Sequence, residues 1–334
     1  MKRTAVALAH PNIALSKYWG KRAGGGNVPA VPSLSVTLAG LATTTSVTFD
    51  DALAADTLRL NGAPAAEGAL ARATELLDRV REAAGLRARA HVVSTNDFPT
   101  ASGLASSASG FAALAVAAAR AAGLDLPAER VADLARQSSA SAARSVFGGF
   151  VELDGEVARP VAPPGRIPLE VLVCVTTEAP KAVSSRDGMA VTAAESPYYA
   201  GWLETAPRLH AELRAALLAG DLEATCALAE RSALAMHASA FAAGVVYVSG
   251  ATLDALAAVR SLRSEGVSAY ATMDAGPHLK CLVHARDAAR ATERLARVPG
   301  VLRVIRAVAG EGARVVDAAA GARSDDPAAE EPPR

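Results

Sequence analysis

The chain has no excess of either charge. Lys and Arg total 34 and Asp and Glu total 34 over 334 residues. That balance argues against a broad nucleic-acid-binding face, which needs a basic surface. It does not argue against a small anionic ligand, because a local basic cluster suffices. Cysteine is scarce. Cys174, Cys226 and Cys281 are far apart and odd in number. There is no CxxC pair and no Cys/His metal spacing. Each cysteine reads as a small buried apolar residue. No run of about 18 apolar residues is free of charge or glycine, so no membrane span is expected. The apolar run after Lys2-Arg3 is shorter than the core of a secretory leader. These readings predict a cytoplasmic protein with reduced thiols, no membrane partner and no nucleic-acid partner. Internal repeats are absent. The six histidines show no ligand-like spacing and read as packing or polar-network residues. Two nucleotide spellings are missing as well: no Lys follows the last glycine of a P-loop, and GxGxxG does not occur.

What is present suits a globular protein of two domains. Hydrophobic residues make up 51% and charged residues 20%. Residues 5–9, 34–38, 44–49 and 58–60 are short, alternating or β-branched, and predict strands. Residues 67–84 carry Leu70, Leu76, Leu77 and Val80 at helical spacing. Residues 88–94 predict a strand and 104–122 a helix. A second helix is expected from Leu126-Pro127 to about Gln137, with proline in its first turn. Residues 146–157 read as a hairpin around Asp154-Gly155. The stretch Pro160-Val-Ala-Pro-Pro-Gly165 is the expected domain boundary, which gives domains of 1–165 and 166–318. In the second domain a strand at 169–175 precedes helices near 198–218, 222–238 and 251–264. A β-β-α-β series at 268–273, 279–283, 287–297 and 301–308 is compatible with a split β-α-β layer. Residues 319–334 are expected to form a disordered tail.

Four segments carry chemistry. The first is Asn96-Asp-Phe-Pro-Thr-Ala-Ser-Gly-Leu-Ala-Ser-Ser-Ala-Ser-Gly110, between the 88–94 strand and the following helix. Small residues let backbone N–H groups approach a ligand, and a helix start offers unpaired donors and partial positive charge. That is a phosphate cradle, although a polar loop in an Ala/Ser-rich chain would read the same way. The second is Pro11-Asn-Ile-Ala-Leu-Ser-Lys-Tyr-Trp-Gly-Lys21, either an anion site or an aromatic anchor with two solvated lysines. In the third, Ser138, Ser139 and Ser141 stand between Arg136 and Arg144. Guanidinium and hydroxyl donors suit phosphate or carboxylate; ordinary helix capping is the alternative. The fourth, Thr272-Met-Asp-Ala-Gly-Pro277, puts Asp274 at a strand end before a turn. It is either an Asx-turn residue or a catalytic carboxylate.

Together the segments resemble the diphosphomevalonate decarboxylases, within the superfamily of galactokinase, homoserine kinase, mevalonate kinase and phosphomevalonate kinase. The matching text includes Asn12-Ile-Ala-Leu-Ser-Lys-Tyr-Trp-Gly-Lys-Arg22, Ser33-Leu-Ser-Val-Thr-Leu38, Asn96 to Ala108, Ser145-Val-Phe-Gly-Gly-Phe-Val151, Lys181-Ala-Val-Ser-Ser-Arg-Asp-Gly-Met189 and Asp274-Ala-Gly-Pro277. The resemblance implies an α+β (two-layer α/β) chain of the small-molecule kinase fold. Its N-terminal domain would be related to the ribosomal protein S5 fold and its C-terminal domain would be ferredoxin-like. It also implies an ATP- and Mg2+-dependent carboxy-lyase, with the active site between the domains and a homodimeric assembly. Asp274 would be the catalytic acid/base and Lys17 its cationic neighbour. Tyr18, Lys21, Arg72, Ser139, Ser141 and Arg144 would hold the substrate's diphosphate or carboxylate. Asn96, Pro99, Ser102, Gly103, Leu104, Ala105, Ser106 and Ser107 would wrap the nucleotide phosphates, with Ser107 the candidate contact to Mg2+.

Two departures bear on the substrate. The family's Pro-x-Asn-Ser-Ser is here Pro29-Ala-Val-Pro-Ser33, so Val31 and Pro32 replace an amide and a hydroxyl. The family's Gly-Ser-Gly-Ser-Ala-Cys-Arg is here Ser138-Ser-Ala-Ser-Ala-Ala-Arg144. Phosphomevalonate decarboxylation, and a mevalonate-type kinase activity that stops at phosphorylation, therefore stand as alternatives to action on the diphosphate.

Overall fold

A computed structural model describes residues 2–22, 24, 27–98, 106–179 and 182–317. The first half runs β1 (Lys2–Ala9), β2 (Asn12–Ser16), β3 (Ser33–Ala39), β4 (Thr43–Asp50), β5 (Thr57–Leu60), β6 (Ala63–Pro64), α1 (Glu67–Ala84), β7 (Arg89–Asn96), α2 (Ser106–Ala121), α3 (Ala128–Ser138), α4 (Ala142–Ser145), β8 (Phe150–Asp154) and β9 (Val157–Ala162). The second half runs β10 (Leu169–Val175), α5 (Ser185–Glu195), α6 (Tyr199–Ala219), α7 (Leu222–Ala242), α8 (Gly250–Ser264), β11 (Ala269–Met273), β12 (Leu279–His284), α9 (Ala288–Ala296), β13 (Arg303–Ala309) and β14 (Arg314–Val316).

Two sheets organise these elements. The first has the order β14-β1-β4-β7-β5-β6. Only its β5–β7 pair is parallel. β4 reads Thr-Thr-Thr-Ser-Val-Thr-Phe-Asp, and every second residue is buried. One of its faces therefore meets a core that includes Leu76, Leu77 and Val80 of α1 and the alanine-rich face of α2. Alanine lets these helices lie close to the sheet.

The second sheet has the order β11-β12-β10-β13-β3-β8-β9, with β2 also paired to β3. The antiparallel order β11-β12-β10-β13 is ferredoxin-like. β10 is apolar almost throughout and buried along its whole length. Both faces are covered: Leu169, Val171 and Val173 enter one core, Leu172 and Cys174 another. All three cysteines are buried and free. β3 joins the halves, pairing with β2 and β8 along its length and with β13 at Leu38 and Ala39.

Several elements differ from the sequence reading. The predicted 146–157 hairpin starts later, at Phe150, because residues 146–149 form the turn that leaves α4, with Gly149 at φ 69°. Its second strand continues to Ala162 and takes in Pro160, which opposes Val151. β2, α5 and β14 were not expected. β2 is five residues long and wholly buried, too short to show a period. Among the described residues no helix is long and apolar enough to cross a membrane.

Candidate active site

The N-terminal segment enters the site through β2, whose end delivers Lys17. Tyr18, Trp19 and Gly20 follow without regular structure. Gly20 has φ 102° and lies under the Tyr199 hydroxyl, which would overlap any Cβ there. Glycine is required at this bend. Trp19 is buried on the edge of Tyr247, with ring centroids 5.9 Å apart. Its carbonyl accepts from Trp202 Nε1 at 2.8 Å. This packing fixes the run that carries Lys17, Tyr18 and Lys21.

Lys17 is 2% exposed. Its Nζ donates to the Ala14 carbonyl at 2.7 Å and to Asp274 Oδ1 at 2.7 Å. Its backbone N–H donates to Ser232 Oγ of α7 at 2.9 Å. Burial lowers the ammonium to about 8 although Asp274 opposes the fall. Asp274 follows β11. Burial would raise its carboxyl, yet Lys17 and Lys280 hold it well below the usual carboxylate range. Lys280 Nζ lies 3.1 Å from Oδ2. Asp274 thus keeps its charge in a partly buried setting because two ammonium groups flank it.

Arg144 of α4 completes the cationic set. Nη1 donates to Ser33 Oγ at 2.6 Å, and Nε and Nη2 approach Asn12 Oδ1 at 3.3 Å. Asn12 in turn donates to the Ser141 carbonyl and to Ser145 Oγ. Burial lowers Arg144 to about 10, so it remains a cation at neutral pH. The Tyr18 hydroxyl is buried with no hydrogen-bond partner among the described residues, and burial raises it to about 12. A buried donor left without a partner is costly, and here it faces a cavity.

That cavity has a volume of about 640 Å3. Lys17, Tyr18, Lys21, Arg72, Ser107, Ser139, Ser141, Arg144 and Asp274 all line it. The structure therefore brings together residues spread from position 17 to position 274. Lys21 Nζ donates to Asn27 Oδ1 at 2.6 Å. Arg72 of α1 stacks over the Phe111 ring at 5.1 Å. The Ser139 and Ser141 hydroxyls are 3.3 Å apart. Arg186, in the first turn of α5, depresses Lys21 and Arg72 after burial does, so three cations crowd one end.

Two expected nucleotide residues do not line this cavity. Asn96 ends β7, and its Oδ1 accepts from Thr43 Oγ1 at 2.6 Å. Ser106 opens α2, and its carbonyl accepts from Ser109 Oγ. Ser107 reaches the cavity from the same turn. Pro99, Ser102, Gly103, Leu104 and Ala105 lie outside the described residues, as does Lys181. Among the described residues no group of three or more His, Cys, Asp or Glu is placed to hold a metal ion.

Asn12, Asn27, Ser184, Ser185 and Arg186 also line the cavity, although the sequence reading gave them no role. Ser184 caps α5 by accepting from Asp187 N at 3.1 Å. Ser-Ser followed by helix-forming residues was the available signal for that start. Of the histidines, His237 packs edge-on against Phe241 and Tyr247, and His10 bonds the Leu41 carbonyl.

Comparison with known proteins matches the diphosphomevalonate decarboxylase-like N-terminal domain over residues 9–158 and the mevalonate 5-diphosphate decarboxylase C-terminal domain over residues 171–318. The diphosphomevalonate decarboxylase of Eremothecium gossypii is 34% identical over 89% of this chain and 81% of its own length. The phosphomevalonate decarboxylase of Haloferax volcanii is 36% identical over 81% of this chain and 86% of its own. The solved structure of MDDEF in complex with MVAPP, AMPPCP and magnesium superposes with a TM-score of 0.87 at 37% identity, covering 95% of this chain and all of that one. The chain belongs to the diphosphomevalonate decarboxylase family.

Proposed function

We propose that this chain catalyses the ATP-dependent decarboxylation of mevalonate 5-diphosphate to isopentenyl diphosphate, ADP, phosphate and CO2. One observation carries the reading. Buried Lys17 pairs with a partly exposed Asp274 in a cavity that also gathers Lys21, Arg72 and Arg186. A substrate with a reacting alcohol near one end and a phosphorylated tail at the other matches that division of charge.

In this reading Asp274 orients the tertiary hydroxyl. The hydroxyl oxygen bonds to the γ-phosphorus as the bond from that phosphorus to ADP breaks. Because its two lysines make Asp274 a weak base, it accepts the hydroxyl proton only as the new O–P bond forms and the hydroxyl becomes acidic. The C–O bond to the new phosphate then breaks, leaving charge at the tertiary carbon. The C–C bond to the carboxylate breaks next, and its electron pair forms the alkene. Lys17 and Arg144 balance negative charge at this end. Tyr18, Lys21, Arg72, Ser139, Ser141 and Arg186 hold the anionic ends.

The relative bound to AMPPCP and magnesium supports ATP and Mg2+ as the nucleotide and its cation. Ser107, in the first turn of a 16-residue helix and on the cavity wall, is placed to face phosphate or its cation. Mg2+ would neutralise phosphate charge when bound. The cavity takes residues from both 1–165 and 166–318, which supports two lobes with the site between them. A homodimer in the cytoplasm completes the reading, and sedimentation of the full chain tests the assembly.

The deciding experiment measures ADP release and trapped CO2 with mevalonate, its 5-phosphate and its 5-diphosphate side by side. Equal ADP and CO2 from the 5-diphosphate is the expected result. ADP without CO2 would mark a kinase instead, and no ADP from any of the three would end the reading. Turnover of the 5-phosphate alone would favour the second reading, phosphomevalonate decarboxylation. That reading draws on the Haloferax relative and on Val31, which is buried where the family pattern has an amide.

A further inference from the structure

Lys280 has no part in the sequence reading, and no substrate-facing role falls to it above. Its side chain is fully buried. It lies on β12, directly opposite Thr272 of β11 and Val173 of β10. The cross-strand register puts Lys280 on the same face as Thr272, and Asp274, one residue beyond the end of β11, reaches it from there. Its neighbours of opposite parity, Leu279 and Cys281, enter the core with Leu262 and Leu295. The hairpin thus turns Leu279 and Cys281 one way and Lys280 the other, beside Leu282, which enters the core with Val171 and Val173.

A buried ammonium survives only beside an opposite charge or good acceptors. Lys280 meets Asp274 at Oδ2 while Lys17 bonds Oδ1. Two cations hold the two oxygens of one carboxylate from different elements. Among the described residues, Arg144 on α4 and His237 on α7 also interact electrostatically with Asp274.

Building on the decarboxylase reading, we propose that Lys280 is a positioning residue: it grips Oδ2 of Asp274, fixes the carboxylate rotamer and presents Asp274 to the substrate hydroxyl as an anion. Removing this cation leaves Asp274 paired with Lys17 at Oδ1. The carboxylate then gains rotational freedom about χ2 and holds its proton more tightly. Loss of a cation beside a carboxylate raises its pKa, so the acid side of the activity profile moves to higher pH.

The test uses the full chain with 13Cγ-labelled aspartate, Asp274 being assigned through Asp274→Asn. In Lys280→Met the Asp274 midpoint should rise by roughly one unit or more. The kcat should fall about tenfold or more, while KM for ATP and for mevalonate diphosphate stays within about threefold. The acid limb of kcat should shift upward together with the NMR midpoint. In Lys17→Met the Asp274 midpoint should remain below the ordinary carboxylate range, because Lys280 is still present.

A merely structural lysine would behave otherwise. Lys280→Met would then lower thermal stability and leave the midpoint and the acid limb where they are, and that result overturns the proposal. An ordinary or raised Asp274 midpoint in Lys17→Met overturns it independently, even if Lys280→Met does not fold. Failure of the decarboxylase reading shows separately, as a wild-type chain that releases no ADP. The titrations would still decide whether Lys280 holds Asp274.

Discussion

Lys17 and Asp274 each carry a perturbed charge, and the perturbations have opposite consequences. Burial acts against both ionised forms, but Asp274 has two ammonium neighbours and Lys17 has one carboxylate. The acid therefore stays ionised, while the lysine gives up its proton near 8. In the free enzyme kcat/KM should accordingly fall above pH 8 by about tenfold per unit, and Lys17→Met should abolish that limb. A flat profile to pH 9.5 would rule Lys17 out. Stability moves the other way. The folded chain binds this proton less tightly than the unfolded chain, so folding becomes more favourable as pH rises from about 8 towards 10.5. Asp274→Asn should retain nucleotide binding in a calorimetric titration and lose at least about 10^3 in kcat. Near-normal turnover would remove Asp274 from the chemistry. The motifs around both residues were legible in the sequence, because each is a compact run of unusual residue types. Lys280 was not, since its partner stands across a hairpin and only the strand register relates them.

At the level of elements, an ionic knot anchors α1 to the first sheet. Asp56 accepts from Arg81 Nη1 at 3.0 Å, from Arg81 Nη2 at 2.8 Å and from Ala90 N at 2.8 Å. Both side chains are buried. Asp78, on the exposed side of the same arginine, is itself exposed. Asp56→Ala should therefore cost about 3 kcal/mol in urea unfolding, because it removes the buried partner of Arg81 and the acceptor of Ala90 N, leaving the guanidinium only its exposed bond to Asp78. Asp78→Ala should cost less than about 1 kcal/mol. Equal effects would show that burial does not set the value of these pairs. The knot matters for the site because α1 carries Arg72. Most elements were readable: α1 and β10 fall on their predicted bounds, since helical spacing and a continuous apolar run are strong local signals. α5 has no clear amphipathic period, with only Gly188, Met189 and Thr192 buried, so its place comes from packing on Tyr247 and Trp202.

Across the whole molecule the two halves are stitched at β3. Gly310 N donates to the Thr37 carbonyl at 2.8 Å, and the Gly310 carbonyl accepts from Gly149 N at 2.8 Å. A Cβ on Gly310 would lie 2.6 Å from Ala39 N. Gly310→Val should force the seam apart and lower the melting temperature by several degrees, roughly 2–4 °C per kcal/mol lost. An unchanged melting temperature would mean that the seam does not carry stability. The consequence reaches the site, because β3 also holds Ser33 against Arg144 and pairs with β2, which delivers Lys17. By itself the sequence determined the alternation of strands and helices, the balance of charge and the identity of the chemical groups, because composition and short-range period are local properties. Only the tertiary structure decided that Lys17, Arg144, Arg186 and Asp274 line one cavity and that Lys280 lies against Asp274. Such meetings depend on strand register and helix packing between distant segments, and no local window of residues encodes them.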